Sequence, residues 1–284
     1  MKTAFVCDSG TGKSSAELEA EGCYSVPLQI GYQEIWHRDY ETITPEEVIG
    51  LMRQGLHLTT SLATLGDIEA LLIRLKQLGY TRIVALMITG ELSGMENAVR
   101  LMAEQLEIDF VSFDCCVTAC LQEYLLLEAK TCYESGWEIP EIMKRLAKIR
   151  KSANTLLIPD NLHYLQLSGR LTAMAARLGG FLRIKPILAI NEQTKGKVDS
   201  VAKARTMNRA IEIVLDTMKN DIPDRGRNFR IHVAHADNGS QALLLSDQIH
   251  QCFESAEIMI VELASAVAVH TGPGCLGVQY YSIA

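Results

Sequence analysis

Short apolar runs and longer stretches with apolar residues three or four apart take turns along the first half of the chain. The runs at 3–7, 24–30, 82–88 and 108–113 are compact and mostly β-branched or aliphatic, the signature of buried strands. Between them the 3.6-residue spacing predicts helices over 16–21, 45–54, 68–78, 96–106, 115–134 and 140–150. Their starts are marked chemically: Ser14 or Ser15 precedes the first, and Thr44-Pro45-Glu46-Glu47 offers a cap, an N1 proline and first-turn acids. In the 59–67 cluster the hydroxyls read as turn and capping residues, with Asp67 as a further candidate cap for the helix over 68–78. Strict strand–helix alternation implies a parallel sheet covered by helices on both faces.

The second half is less regular. Strands are expected over 155–159, 185–190, 229–235 and 257–263, and 198–202 is placed to form a hairpin with 185–190. Helices are expected over 161–167, 173–182, 203–219 and 240–253, with Gly169 as a C-terminal cap and Arg170 lacking an obvious local partner. An apolar run over 258–269 leads into His270-Thr271-Gly272-Pro273-Gly274-Cys275-Leu276-Gly277, and a strand-like tail follows over 278–281. Three glycines and a proline in eight residues read as a tight loop able to hold the His270 imidazole in one place. The fold class expected is α/β with two domains. Residues 1–152 form an N-terminal parallel sheet with helices on both faces, and 153–284 form a second α/β domain with a mixed sheet.

Bulk properties narrow the function classes. The 284 residues are 48% hydrophobic and 21% charged, ordinary for a globular protein, and the length suits two modest domains. A net charge of −7 argues against nucleic acid as the main partner, because phosphate contacts need a basic surface. Eight cysteines without a CxxC motif, and no signal peptide, lead us to expect a cytoplasmic protein with reduced thiols. The apolar runs are too short or too interrupted to span a bilayer.

Few motifs survive inspection. Gly10-Thr11-Gly12-Lys13-Ser14 imitates a phosphate-binding P-loop, but the fingerprint requires a glycine where Cys7 stands. Asp8 and Ser9 are instead expected to shape the turn after the first strand. No Gly-x-Gly-x-x-Gly follows a predicted strand, and His232 and His235 point to opposite faces of theirs, so neither a nucleotide nor a metal site is indicated. What remains are three hydroxyl or imidazole loops: Thr59-Thr60-Ser61, Thr89-Gly90-Glu91-Leu92-Ser93-Gly94, and the segment with His270. They suit an anionic ligand; they also permit an alternative, a serine hydrolase acting on a small ester or lipid through Ser93 and His270. That alternative lacks a Gly-x-Ser-x-Gly elbow.

In order along the chain, Asp8-Ser9, Thr60-Ser61, Leu92-Ser93-Gly94, Ser168-Gly169-Arg170-Leu171, Ile184-Lys185-Pro186-Ile187-Leu188, Arg205-Thr206 and the 270–277 segment resemble the DegV family of bacterial proteins. This sequence departs from the family pattern at Leu62-Ala63, at Gly12-Lys13-Ser14 and at Met95-Glu96. The resemblance implies a non-enzymatic lipid-binding protein that holds one long-chain fatty acid, such as palmitate, stearate or oleate, in an inter-domain tunnel, with no cofactor and no metal. It implies presentation of the carboxyl group to the catalytic protein of a fatty acid kinase, for acyl-phosphate formation in phospholipid metabolism. It implies no stable membrane insertion, though transient membrane contact is compatible with it. Carried over by position, Thr60, Ser61, Ser93, Gly94 and His270 would hold the carboxylate, and Arg170 and Arg205 would meet the kinase or a phosphate. A carboxylate only accepts, so hydroxyls and an imidazole N–H suit it.

Overall fold

The computed structural model describes residues 1–176 and 184–284. The chain divides into two compact units, one of residues 1–148 with 264–267, the other of residues 149–263 with 268–284.

In the first unit, strands β1 (Thr3–Asp8), β2 (Tyr24–Val26), β6 (Arg82–Ala85) and β7 (Asp109–Ser112) form a sheet in the order β2-β1-β6-β7. All three pairings are parallel, as strand–helix alternation requires. Period-two alternation divides the burial between two faces. Ala4, Val6, Ile83 and Ala85 share a core with α3 (Leu65–Gln77) and α4 (Met95–Gln105), through Ile68, Leu72, Leu75, Val99 and Ala103. Phe5 points the other way and meets Tyr133 of α5 (Cys120–Glu134) edge-on, with ring centroids 5.6 Å apart. Helices α1 (Ser15–Ala20) and α2 (Pro45–Arg53) start with complete capping boxes, Ser14 with Glu17 and Thr44 with Glu47.

Several expectations are corrected here. The cap of α3 is Thr64, whose Oγ1 accepts the Asp67 N–H at 3.0 Å; Asp67 sits at N3. Strand β6 ends at Ala85, because Leu86 N–H turns to the Val6 carbonyl and Ile88 N–H to the Asp8 carboxylate. Residues 115–119 form a loop rather than the first turn of α5, with Cys116 and Ala119 at positive φ. A second, antiparallel sheet of order β4-β3-β5 was not foreseen; it is built from β3 (Gln29–Tyr32), β4 (Ile35–Arg38) and β5 (Thr59–Ser61).

The second unit is built on one six-stranded mixed sheet, β10-β9-β8-β13-β11-β12. Its strands are β8 (Asn154–Ile158), β9 (Lys185–Ile190), β10 (Asp199–Ala204), β11 (Phe229–His235), β12 (Glu257–Glu262) and β13 (Leu276–Ser282). Only β11 and β12 run parallel; the expected β9–β10 hairpin is present. The residues read as a tail are β13, central in the sheet between β8 and β11. Leu156, Ile158, Ile231, Val233, Val278 and Tyr280 pack on α9 (Met207–Asp221) and α10 (Gly239–Cys252). Lys203 and Ala204, expected to open α9, complete β10, and Thr206 caps the helix. The helix expected over 173–182 is described as far as Ala173–Ala176, and its remainder lies outside the described residues. Among the described residues no helix is long and apolar enough to cross a membrane.

Candidate functional site

In the first unit the candidate loops are set by a buried carboxylate. Asp8, at the end of β1, is fully buried, and its Oδ1 accepts from Gly10 N–H at 2.9 Å and Gln122 Nε2 at 3.1 Å. Its Oδ2 accepts from Ile88 N–H at 2.8 Å, which fixes the chain as it leaves β6 for Thr89-Gly90-Glu91-Leu92-Ser93-Gly94. Burial raises the pKa of this carboxyl, and the three donors oppose the rise. A β-carbon on Gly10 would lie 2.7 Å from Asp8 Oδ1, so the close approach needs glycine there. Within the segment that imitates a P-loop, the Gly10 amide thus serves an internal aspartate and the Gly12 amide closes onto the Ser9 carbonyl. Lys13 is an exposed side chain near Glu17 and Glu123.

Thr60 and Ser61 lie at the end of β5, paired with Ile30 and Gln29 of β3. Just beyond them Leu62 covers Gly94, a β-carbon at Gly94 being 3.7 Å from Leu62 Cδ1, and Ala63 N–H donates to Met95 Sδ at 3.3 Å. Met95 is fully buried in the unit's core. These two contacts bring the chain just beyond β5 against the Ser93–Gly94 turn. Both pairs of sequence departures, Leu62-Ala63 and Met95-Glu96, therefore meet across a single contact. Ser93 Oγ accepts the Met95 N–H at 3.3 Å, leaving its proton to donate elsewhere. Neither loop carries Lys or Arg.

A second buried acid of the same unit, Asp39, had no place in the sequence reading of the site. Ser9 Oγ donates to its Oδ2 at 2.7 Å and accepts the Leu28 N–H at 3.1 Å. Burial, only partly offset by the Ser9 hydrogen bond and reinforced by the charge of Asp8, pushes the Asp39 carboxyl up to about 7.

In the second unit His270 is not in the glycine loop. It occupies the last turn of α11 (Ser265–Thr271) and is half-buried. The apolar run over 258–269 is divided between β12 (Glu257–Glu262) and the start of α11. The loop that follows is tightly specified. Gly272 adopts φ 82°, and a β-carbon there would lie 2.3 Å from the Tyr164 ring. Gly274 N–H donates to the Ala236 carbonyl at 2.7 Å, and the Gly274 carbonyl accepts from Asn238 Nδ2 at 2.9 Å.

The two arginines differ. Arg170, following the Gly169 cap of α7 (His163–Ser168), does have a local partner, its Nη1 donating to the Ser168 carbonyl at 2.5 Å. Arg205 is exposed between β10 and α9, with no ion pair among the described residues. Lys185, within the motif that precedes β9's apolar run, donates to the Asp160 carboxylate at 2.6 Å. Of the two histidines of β11, His232 is buried against the Tyr281 hydroxyl at 3.0 Å, and burial pulls its pKa down to about 4.

Comparison with known proteins adds identity to this geometry. The family model described as an uncharacterised protein of the DegV family matches residues 2–282. The chain belongs to the DegV family. A DegV domain-containing protein of Clostridium acetobutylicum is 28% identical to it over 99% of both chains. Among solved structures, a DegV family protein of Thermus thermophilus, studied for fatty acid binding, superimposes with a TM-score of 0.88 at 25% identity, covering 99% of this chain and 100% of the other. DegV of Bacillus subtilis, a fatty acid binding protein, gives a TM-score of 0.88 at 22% identity over 99% of both chains. The two-domain α/β DegV fold is thereby established for this chain.

Proposed function

We propose that this DegV protein binds one long-chain fatty acid and presents its carboxyl group to a fatty acid kinase, itself supplying no catalysis. The observation that carries the reading is the meeting of the chain just beyond Thr60–Ser61 with the Ser93–Gly94 turn through the Leu62–Gly94 and Ala63–Met95 contacts, in a family whose solved members bind fatty acids. Ser93 Oγ accepts from Met95 N–H and keeps its own proton available for an acceptor-only group such as a carboxylate. Family position gives His270 the imidazole contact to the same group, and Arg170 and Arg205 the contacts to kinase or phosphate. An uncharged cradle suits a carrier: it orients the carboxylate by charge-assisted hydrogen bonds without the hold of a fixed cation. Affinity comes mainly from the acyl chain, at about 0.8 kcal/mol per buried methylene before the costs of binding.

The test is native mass spectrometry with lipid extraction on protein purified from a bacterial host. One equivalent of long-chain fatty acid is expected, with affinity roughly tenfold or more weaker in Ser93→Ala, the loss of one hydrogen bond to a charged group. With ATP and the kinase catalytic protein, acyl phosphate should form only when this protein is present. Protein that arrives empty and refuses added fatty acid would overturn the reading, as would ester hydrolysis dependent on Ser93.

A further inference from the structure

A cleft of about 260 Å³ lies in the first unit, between the β3–β4 hairpin and α2. It involves none of the residues assigned above to the fatty acid. Four observations about its walls point the same way. Tyr32 and His37 form one wall with their rings stacked, centroids 5.2 Å apart and planes within 7°. His37 Nε2 is buried and has no hydrogen-bond partner, a state that costs free energy unless something else supplies one. Glu47, opposite, is the only charged residue lining the cleft; its Oε2 accepts from Thr44 N–H at 2.8 Å, while Oε1 accepts no hydrogen bond among the described residues.

The fourth observation is Gly50. It stands in the interior of a nine-residue helix, where glycine is unfavourable relative to alanine. Neither usual reason for glycine applies: its φ is not positive, and an added β-carbon would meet no atom within 4 Å. The missing side chain instead leaves the floor of the cleft open.

A flat π-face, one carboxylate with a spare acceptor oxygen and an unpartnered ring nitrogen are complementary to a planar cation bearing several N–H donors. The volume is below that of a drug-sized pocket, so the occupant is a small molecule or a single side chain. We propose that this cleft binds a planar cation of the amidinium or guanidinium class, with Glu47 as its counter-charge and an outer ring face of the Tyr32–His37 stack as its stacking surface. Thr42 and Gln54, at the rim, add polar contacts.

The test titrates the full chain with benzamidine and with argininamide, using benzoate as the anionic control, and follows the His37 ring signals by NMR. Saturable shifts with a dissociation constant of about 1 mM or tighter are expected for the cations and not for benzoate. Glu47→Gln keeps the capping box, since Gln serves at N3 as Glu does, and should weaken binding roughly tenfold by removing the charge. Gly50→Met should fill the floor and abolish binding. Both variants should retain fatty acid occupancy, so failure here is separable from failure of the lipid reading. If a short Arg-containing peptide binds more tightly than argininamide, the natural ligand is a protein side chain; if less tightly, it is a free compound. No saturable shift with either cation, equal binding of benzoate, or unchanged affinity in Glu47→Gln would overturn the proposal.

Discussion

The buried Asp39 makes stability depend on pH in a direction opposite to that of most carboxylates. Its carboxyl is raised from the ordinary 3.8 to about 7 because burial disfavours the ion and Asp8 is nearby. In the unfolded chain the group loses its proton near pH 4, while in the folded protein it keeps it until about pH 7. Over that window the unfolded state binds fewer protons, so stability falls as pH rises, then levels off once both states are ionised. At about 1.4 kcal/mol per pH unit the full separation is worth roughly 4 kcal/mol, and relaxation around the ion brings the expected loss to about 2–4 kcal/mol. Asp39→Asn removes the ionisation and keeps an oxygen for the Ser9 hydroxyl. The assay is urea denaturation of both proteins from pH 4.5 to 8, with ΔG of unfolding compared at each pH. His232, pulled down to about 4 by burial, titrates over an overlapping range with the opposite sign: its contribution is complete above pH 6.5 and is lost as pH falls toward 4. It is common to both proteins and cancels in the difference. The stability of Asp39→Asn relative to the parent should climb between about pH 4 and 7 and then stay flat. A difference independent of pH, or one that favours the parent at high pH, would refute a protonated Asp39.

Three other outcomes follow from separate features. His232→Gln should remove the acid-side fall of stability by up to about 3 kcal/mol, read from the same pH series. Gly272→Ala combines an unfavourable φ with a clash on Tyr164 and should cost about 2–5 kcal/mol in chemical denaturation, whereas Gly79→Ala, also at positive φ but in open space, should cost only the backbone part. Met95→Ala empties a fully buried site and removes the acceptor of the Ala63 N–H; about 2–5 kcal/mol is expected, with weaker fatty acid retention as the Thr60–Ser61 segment loosens.

Much of the fold was legible because periodicity and caps agreed. Ser14, Thr44-Pro45 and Gly169 mark their helix ends as read, and β1, β8, β9 and β11 lie within a residue or two of their apolar runs. The small β3–β4–β5 sheet was not, since its strands are three or four residues long and its hairpin turns on Gln33 and Glu34, both at positive φ without the usual Asn-Gly or Asp-Gly signal. The 115–119 loop escaped for a similar reason: Cys116 and Ala119 adopt backbone angles that their residue types do not advertise. At the site, sequence spacing pointed to hydroxyl-bearing loops, but only three-dimensional contact joins Leu62 to Gly94. Asp39 was passed over because a lone acid in a polar stretch reads as exposed, and its burial comes from Ser9, Leu28 and Ser265, far away in sequence.

The path of residues 264–284 governs when the two units can finish folding during synthesis. Residues 264–267 belong to the first unit, with Ala266 in its core beside Ile68 and Met95, and β13 fills the middle of the second unit's sheet. A nascent chain ending before residue 264 therefore lacks part of one core and leaves β8 and β11 without their shared neighbour. Each unit waits for residues translated at almost the same moment, so neither can finish well ahead of the other. Unpaired strands and apolar surface stay open throughout elongation, and that interval, more than the finished molecule, is where chaperones have something to hold.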